Sequence, residues 1–91
     1  MTTPQKNNKN ILPNFDNFSE LDVSEINGIG NINGKILKEK GYSSTGSLLG
    51  KFLVLKKDKE RFTQWLISCG IDVNNANQCF QFIKDWTDMS I

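Results

Sequence analysis

Ile26-Asn27-Gly28-Ile29-Gly30-Asn31-Ile32-Asn33-Gly34-Lys35-Ile36-Leu37 is the one stretch of this chain whose spacing implies a fold and a chemistry together. Two glycines around a single aliphatic residue let the backbone turn tightly and bring its N–H groups to the surface, since neither carries a Cβ to block approach. Amides exposed at a helix start favour an anion, by their own hydrogen bonds and by the positive end of the helix dipole. Ile29 can plug between two helices, Gly34 lets them cross closely, and Ile26 with Leu37 supplies the flanking apolar pair. These are the parts of a helix-hairpin-helix. With no phosphate-loop motif around it, the expected anion is a nucleic-acid phosphate held by backbone geometry. Lys35, one turn into the following helix, is placed to meet a neighbouring phosphate.

Two rival readings of the same residues were weighed. The run from Gly28 to Gly34 superficially resembles a dinucleotide fingerprint, but its third glycine falls one place late and no strand precedes it. A plain interhelical corner without a ligand is the ordinary explanation of an isolated Gly-x-Gly. It is the flanking apolar and glycine positions that favour the hairpin.

Working outward, the periodicity predicts short helices throughout. Thr3-Pro4 is a cap and first-turn pair for a helix to Leu12 that Pro13 ends. Asn14 to Phe18 reads as a turn. Glu20 to Asn27 reads as a second short helix, with Ser19 a candidate cap and Leu21, Val23 and Ile26 apolar. After the hairpin, Asn31 is a candidate cap for a helix carrying Ile32, Ile36 and Leu37 that Gly41 stops. Ser47 to Leu55 is a dense apolar run that a buried strand could also produce, but no partner strand is visible, so a buried helix is expected. Gly50 in its interior costs about 1 kcal/mol relative to alanine unless something approaches closely. Either another chain or a second helix of the same chain could be that neighbour.

Asp58 caps a helix whose Phe62, Trp65, Leu66 and Cys69 recur at helical spacing, closed by Gly70. A last helix starts near Asn74 or Asn75. It carries Ala76, Cys79, Phe80, Ile83 and Thr87 on one face and Phe82, Trp86 and Met89 on another. The second stripe fits either a subunit interface or a helix buried on both sides within one chain.

Composition narrows the function classes. The chain has 91 residues, enough for one domain with a modest core. Its two cysteines, Cys69 and Cys79, are too few and isolated for a disulfide framework or zinc site. Neither an apolar run of spanning length nor a signal-like start is present, so no membrane insertion is expected and the expected compartment is cytosolic or nuclear. The formal net charge is only +1, yet residues 13–30 carry four acids and no base, whereas 31–61 carry seven lysines and Arg61 against three acids. Without any histidine the commonest general base and neutral metal ligand are missing. No serine or cysteine has a base partner, so catalysis, a metal and a cofactor are not expected.

Beyond these readings the chain resembles the barrier-to-autointegration factor family nearly end to end. The opening MTTPQK is similar to the family's start, GIGNINGK to its hairpin, and GKFLVLKKD to its most specific stretch. Phe62, WL at 65–66, CG at 69–70, CF at 79–80 and DW at 85–86 fall in register. The resemblance implies an all-α fold, a small compact SAM-like bundle of five to six short helices containing a helix-hairpin-helix. It implies one DNA-binding domain over residues 1–91, paired as a homodimer that bridges two double-stranded DNA segments without sequence preference.

The family's DNA contacts map onto Gly28, Ile29, Gly30, Ile32, Asn33, Gly34 and Lys35, joined by Gln5 and Lys6, with a further backbone contact near Val73. The resemblance also implies LEM-domain inner nuclear membrane proteins and lamins as partners, in a groove to which Lys40, Tyr42, Gly50, Leu53, Val54 and Lys57 correspond. Phe82, Trp86 and Met89 are the expected dimer stripe. The expected location is the nucleus, on chromatin and at the nuclear envelope, and also the cytoplasm.

Three departures carry consequences. Pro4 replaces the family's phosphorylatable serine, which leaves Thr2 and Thr3 as the candidates for charge-driven release from DNA. Asp72 to Asn77 carries no base where the animal proteins have them, so the second contact is expected to be weaker. Asn-rich insertions lengthen the region before the hairpin. Two other function classes stay open on the residues alone. One is a helical interaction adaptor whose hairpin is only structural; the other is a helix-hairpin-helix repair enzyme, disfavoured because no catalytic lysine and aspartate follow the turn.

Overall fold

The computed structural model describes residues 15–90. The expected helix from Thr3 to Leu12, and with it Thr2, Gln5 and Lys6, lies outside these residues. Five α-helices follow: α1 (Phe15–Glu20), α2 (Gly30–Glu39), α3 (Thr45–Val54), α4 (Lys59–Ser68) and α5 (Val73–Ser90), with a 3-10 turn at Val23–Glu25 between α1 and α2. No strand forms among the described residues; a single antiparallel bridge pairs Asp22 with Ser44. The all-α expectation holds, as does the choice of helix over strand for the apolar run before Lys56.

Between residues 15 and 27 the expectation fails twice. Phe15–Glu20 is helical where a turn is expected, and Ser19 lies inside that helix instead of capping the next. Phe18 decides this. Its ring is wholly buried and stacks on Trp86 at 4.0 Å and 10°. Such a pair adds about 0.5–1.5 kcal/mol beyond the area it buries. Glu20 to Asn27 is then not one helix. Val23 donates to the Ser43 carbonyl and Thr45 to that of Leu21, which pulls the chain into extended form at Asp22. The Asp22 carboxylate accepts the Ser24 amide at 3.0 Å, a local bond that competes with helix propagation.

The later caps follow their side chains. The Ser44 hydroxyl accepts the Ser47 amide at 3.2 Å to start α3, and the Asp58 carboxylate accepts the Arg61 amide at 2.8 Å to start α4. At the end of α3, Lys57 donates to the Phe52 carbonyl and Lys56 to that of Leu53, the crossed pair of bonds that commonly closes a helix. Here both closing residues are lysines held at positive φ, 63° for Lys56 and 60° for Lys57. α5 begins at Val73, a turn-fraction earlier than expected, because Asp72 caps it: its carboxylate accepts the Asn74 amide at 3.2 Å.

One aromatic cluster joins α3, α4 and α5. Phe52 meets Phe62 edge-on at 5.4 Å, and Phe80 approaches Phe52 at 5.7 Å and Phe62 at 6.2 Å. Ala76, Cys79, Phe80, Ile83 and Thr87 all face this core, as their spacing predicts. Burial pushes the Cys79 thiol up to about 12, which keeps it protonated and unreactive. The second stripe of α5 divides. Trp86 is buried within the chain, Phe82 is half-buried and packs toward Phe18, and only Met89 stands out, 76% exposed. The expected three-residue dimer stripe is corrected to that extent: Trp86 spends its surface on Phe18.

Candidate nucleic-acid interface

The hairpin turns through two glycines in the left-handed region, Gly28 at φ 89° and Gly30 at φ 67°, with Ile29 between them 4% exposed. Ile29 is the plug its position suggests, seated in the same core as Ile26 and Leu37. Gly34 faces the 3-10 turn so closely that an added Cβ would lie 3.0 Å from the Ser24 Cβ. The turn and α2 therefore cross with no room for a side chain, which fixes the direction in which α2 starts.

The two hairpin glycines differ in a way the sequence does not reveal. A Cβ on Gly28 would overlap the Asn75 carbonyl oxygen and stand 2.9 Å from the Gln78 Cβ and 3.0 Å from the Cys79 amide. Gly28 thus docks the hairpin against the first turns of α5. Among the described residues nothing lies within 4 Å of such an atom on Gly30. It is Gly30 that opens to solvent, at the helix start itself.

That helix start lacks a side-chain cap. Ile29 is the residue before it and supplies no hydrogen-bonding group, whereas α3, α4, α5 and the 3-10 turn each begin on a serine or aspartate. The first amides of a helix have no partner within it, so those of Gly30, Asn31 and Ile32 depend on solvent or an incoming acceptor. Asn31, the expected cap, lies inside the helix and caps nothing. Asn33 instead reaches back, its side-chain amide 3.4 Å from the Gly28 carbonyl, and steadies the turn. Exposed around the free amides are Asn31, Lys35 and Ile32, the last 80% exposed.

Charge is sparse here. Lys38 is tied to Asp22 at 2.9 Å, which leaves Lys35 as the nearby lysine with no ion pair among the described residues. The Asp22 carboxyl falls to about 2, chiefly because the Ser24 hydroxyl donates to it, then through Lys38. Val73, at the head of α5, is 55% exposed. It shares a side of the molecule with the hairpin, since Gly28 touches Asn75 and a Cβ added at Gly70 would lie 3.8 Å from the Ile36 side chain. Asp72 ahead of Asn74 and Asn75 is the capping signal in the sequence that marks the start of α5.

The expected partner groove divides into two parts. Gly50, Leu53 and Val54 share the outer face of α3, with Leu53 44% and Val54 72% exposed. Among the described residues nothing beyond its own helix lies within 4 Å of a Cβ added at Gly50, so tight packing against another described helix does not explain that glycine. Lys57 is exposed in the turn beyond. Tyr42 meets Trp65 edge-on at 5.0 Å, and Lys51 covers the same indole at 5.1 Å, which links the α2–α3 loop to α3 through α4. Lys40 is exposed at the end of α2. Among the described residues no helix is long and apolar enough to cross a membrane.

Comparison with known proteins identifies a family. The family profile described as Barrier to autointegration factor matches residues 1–90. The chain is similar to the human protein named barrier-to-autointegration factor, 37% identical over 89 residues that cover 97% of each chain. It is similar to the zebrafish protein of that name, 39% identical over 72 residues, 78% of this chain and 80% of the other. The Drosophila melanogaster protein of that name is 34% identical over 87 residues, 94% of this chain and 93% of its own.

Proposed function

This chain belongs to the barrier-to-autointegration factor family, and from that membership we propose that it binds double-stranded DNA without sequence preference, as a binding protein and not an enzyme. The observation that carries the reading is the start of α2: free amides behind an open left-handed glycine, in a protein that caps α3, α4 and α5 with a serine or aspartate. Amides reach phosphates and read no bases, so indifference to sequence follows from the chemistry. Ile32, Asn33 and Lys35 border the grip, while Ile29 and Gly34 shape it from behind.

The fuller reading is a homodimer that bridges two duplexes on chromatin and at the nuclear envelope. The exposed outer face of α3, with Gly50 bare between Ser47 and Val54, supports a covering partner, and so does the outward Met89 beside Phe82. LEM-domain proteins and lamins are the partners proposed for the surface around Lys40, Tyr42, Leu53, Val54 and Lys57. Thr2 and Thr3 are the proposed phosphorylation positions. The exposed α3 face also suits a protein adaptor that does not bind DNA.

Fluorescence anisotropy with three unrelated duplexes decides between them. Comparable saturable binding to all three, with few ions released on complex formation, is expected; with Lys35 and Lys6 the lysines proposed for the grip, a slope near about −1 to −2 in log K against log salt corresponds to about one or two phosphates neutralised. Gly30→Glu should abolish that binding with the helical circular dichroism retained. No binding at low salt, or a normal Gly30→Glu variant, overturns the reading. Light scattering that grows only when duplex is added separates bridging from an adaptor.

A further inference from the structure

Two helix starts lie side by side on the hairpin surface, and they are finished oppositely. α2 begins without a cap. α5 begins on Asp72, whose carboxylate accepts the Asn74 amide at 3.2 Å, the Asn75 amide at 3.4 Å and the Asn75 side-chain amide at 2.5 Å. Asn75 is also the residue whose carbonyl touches Gly28. One residue therefore contacts both the hairpin and the carboxylate. Asp72 is exposed, it joins no ion pair among the described residues, and residues 68–83 contain no lysine or arginine to offset it.

We infer that Asp72 acts as a built-in brake on this face: its exposed carboxylate, set beside the hairpin, repels the phosphate held at α2. The inference rests on the DNA-binding reading above and deepens it, since it names the residue that sets how tightly the face holds a duplex. At a separation on the order of 8 Å in a water-like medium, a carboxylate and a phosphate repel enough to change affinity about twofold. The effect fades as salt shortens the screening length from about 14 Å at 50 mM toward 6 Å at 300 mM.

The charge can be removed without removing the cap, because asparagine caps a helix about as well as aspartate. Asp72→Asn should bind an arbitrary 20-base-pair duplex about 1.5- to 2-fold more tightly than the unaltered chain at 50 mM salt, with the gain largely gone at 300 mM. Asp58→Asn is the matched control. It deletes the same charge from a cap at the far end of α4, about 15 Å along the helix axis. It should leave affinity nearly unchanged. Circular dichroism and melting confirm that each variant folds.

Equal affinity of Asp72→Asn and the unaltered chain overturns the inference, as does an equal gain in Asp58→Asn, which would mean that net charge alone matters. A gain in Asp72→Asn alone supports it, even where the unaltered chain binds below detection. If neither the unaltered chain nor Asp72→Asn binds at 50 mM salt, the DNA-binding reading itself fails, and the brake with it.

Discussion

Replacing the two hairpin glycines separately should split stability from binding. Gly28→Ala places a Cβ at a positive φ of 89°, which costs an L-residue about 1–2 kcal/mol. It also drives that atom into the Asn75 carbonyl, the Gln78 Cβ at 2.9 Å and the Cys79 amide at 3.0 Å. Two of the three are backbone of α5, which cannot rotate away, so overpacking adds about 1–3 kcal/mol. The sum, roughly 2–5 kcal/mol, is a large part of what a domain this size has available. At about 4–8 °C per kcal/mol the midpoint should fall by at least about 8 °C. Gly30→Ala carries the φ cost without the overlap, since nothing lies within 4 Å, and should lose about 1–2 kcal/mol. The assay is thermal unfolding of both variants by circular dichroism, with duplex binding measured below the lower midpoint. Equal midpoints for the two variants would refute the docking of Gly28 against α5.

Other consequences are local. Thr45 is buried with its hydroxyl unpartnered, so Thr45→Val should raise stability by about 1 kcal/mol, read as a higher denaturant midpoint; an unchanged or lower one contradicts the orphaned hydroxyl. Lys56 sits at the left-handed closing position of α3, where glycine is unstrained, so Lys56→Gly should raise the midpoint by a few degrees despite its greater freedom when unfolded. Asp22 has its carboxyl lowered from an ordinary 3.8 to about 2, so its contribution is complete above about pH 4 and disappears as pH falls toward 2. Asp22→Asn should therefore melt below the unaltered chain at pH 6 and together with it at pH 2. A gap that persists at pH 2 would assign the loss to something other than the charge.

Where a helix is bounded by its own side chains, the sequence was readable. Asp58 and Gly70 frame α4, and the apolar spacing of α5 identifies its core face, because those signals act within a few residues. The segment from Phe15 to Asn27 was not readable. Its helix depends on Trp86, more than sixty residues away, and its extended turn depends on hydrogen bonds to Leu21 and from Val23 that only tertiary folding supplies. The hairpin lay between these cases. Gly28-Ile29-Gly30 announced a turn, but only the position of α5 separates the glycine that packs from the one that opens. Asn31 misled for a similar reason: a good capping residue stands one place too late when Ile29 must be buried.

A near-neutral protein that grips a polyanion needs donors that carry no formal charge, and the uncapped start of α2 supplies them. Lysine-based binding would give affinity from many weak, exposed contacts that salt removes together. Amides held by a buried plug and two close helix crossings are few, but they are ordered before the ligand arrives, so little entropy is lost on contact. A single grip of that kind is weak, and a carboxylate beside it makes it weaker. Weak grips become useful when two are joined rigidly, because the second engagement is then intramolecular and the pair holds what neither holds alone. In the proposed homodimer, modest affinity at each hairpin would favour two duplexes brought together over one duplex occupied.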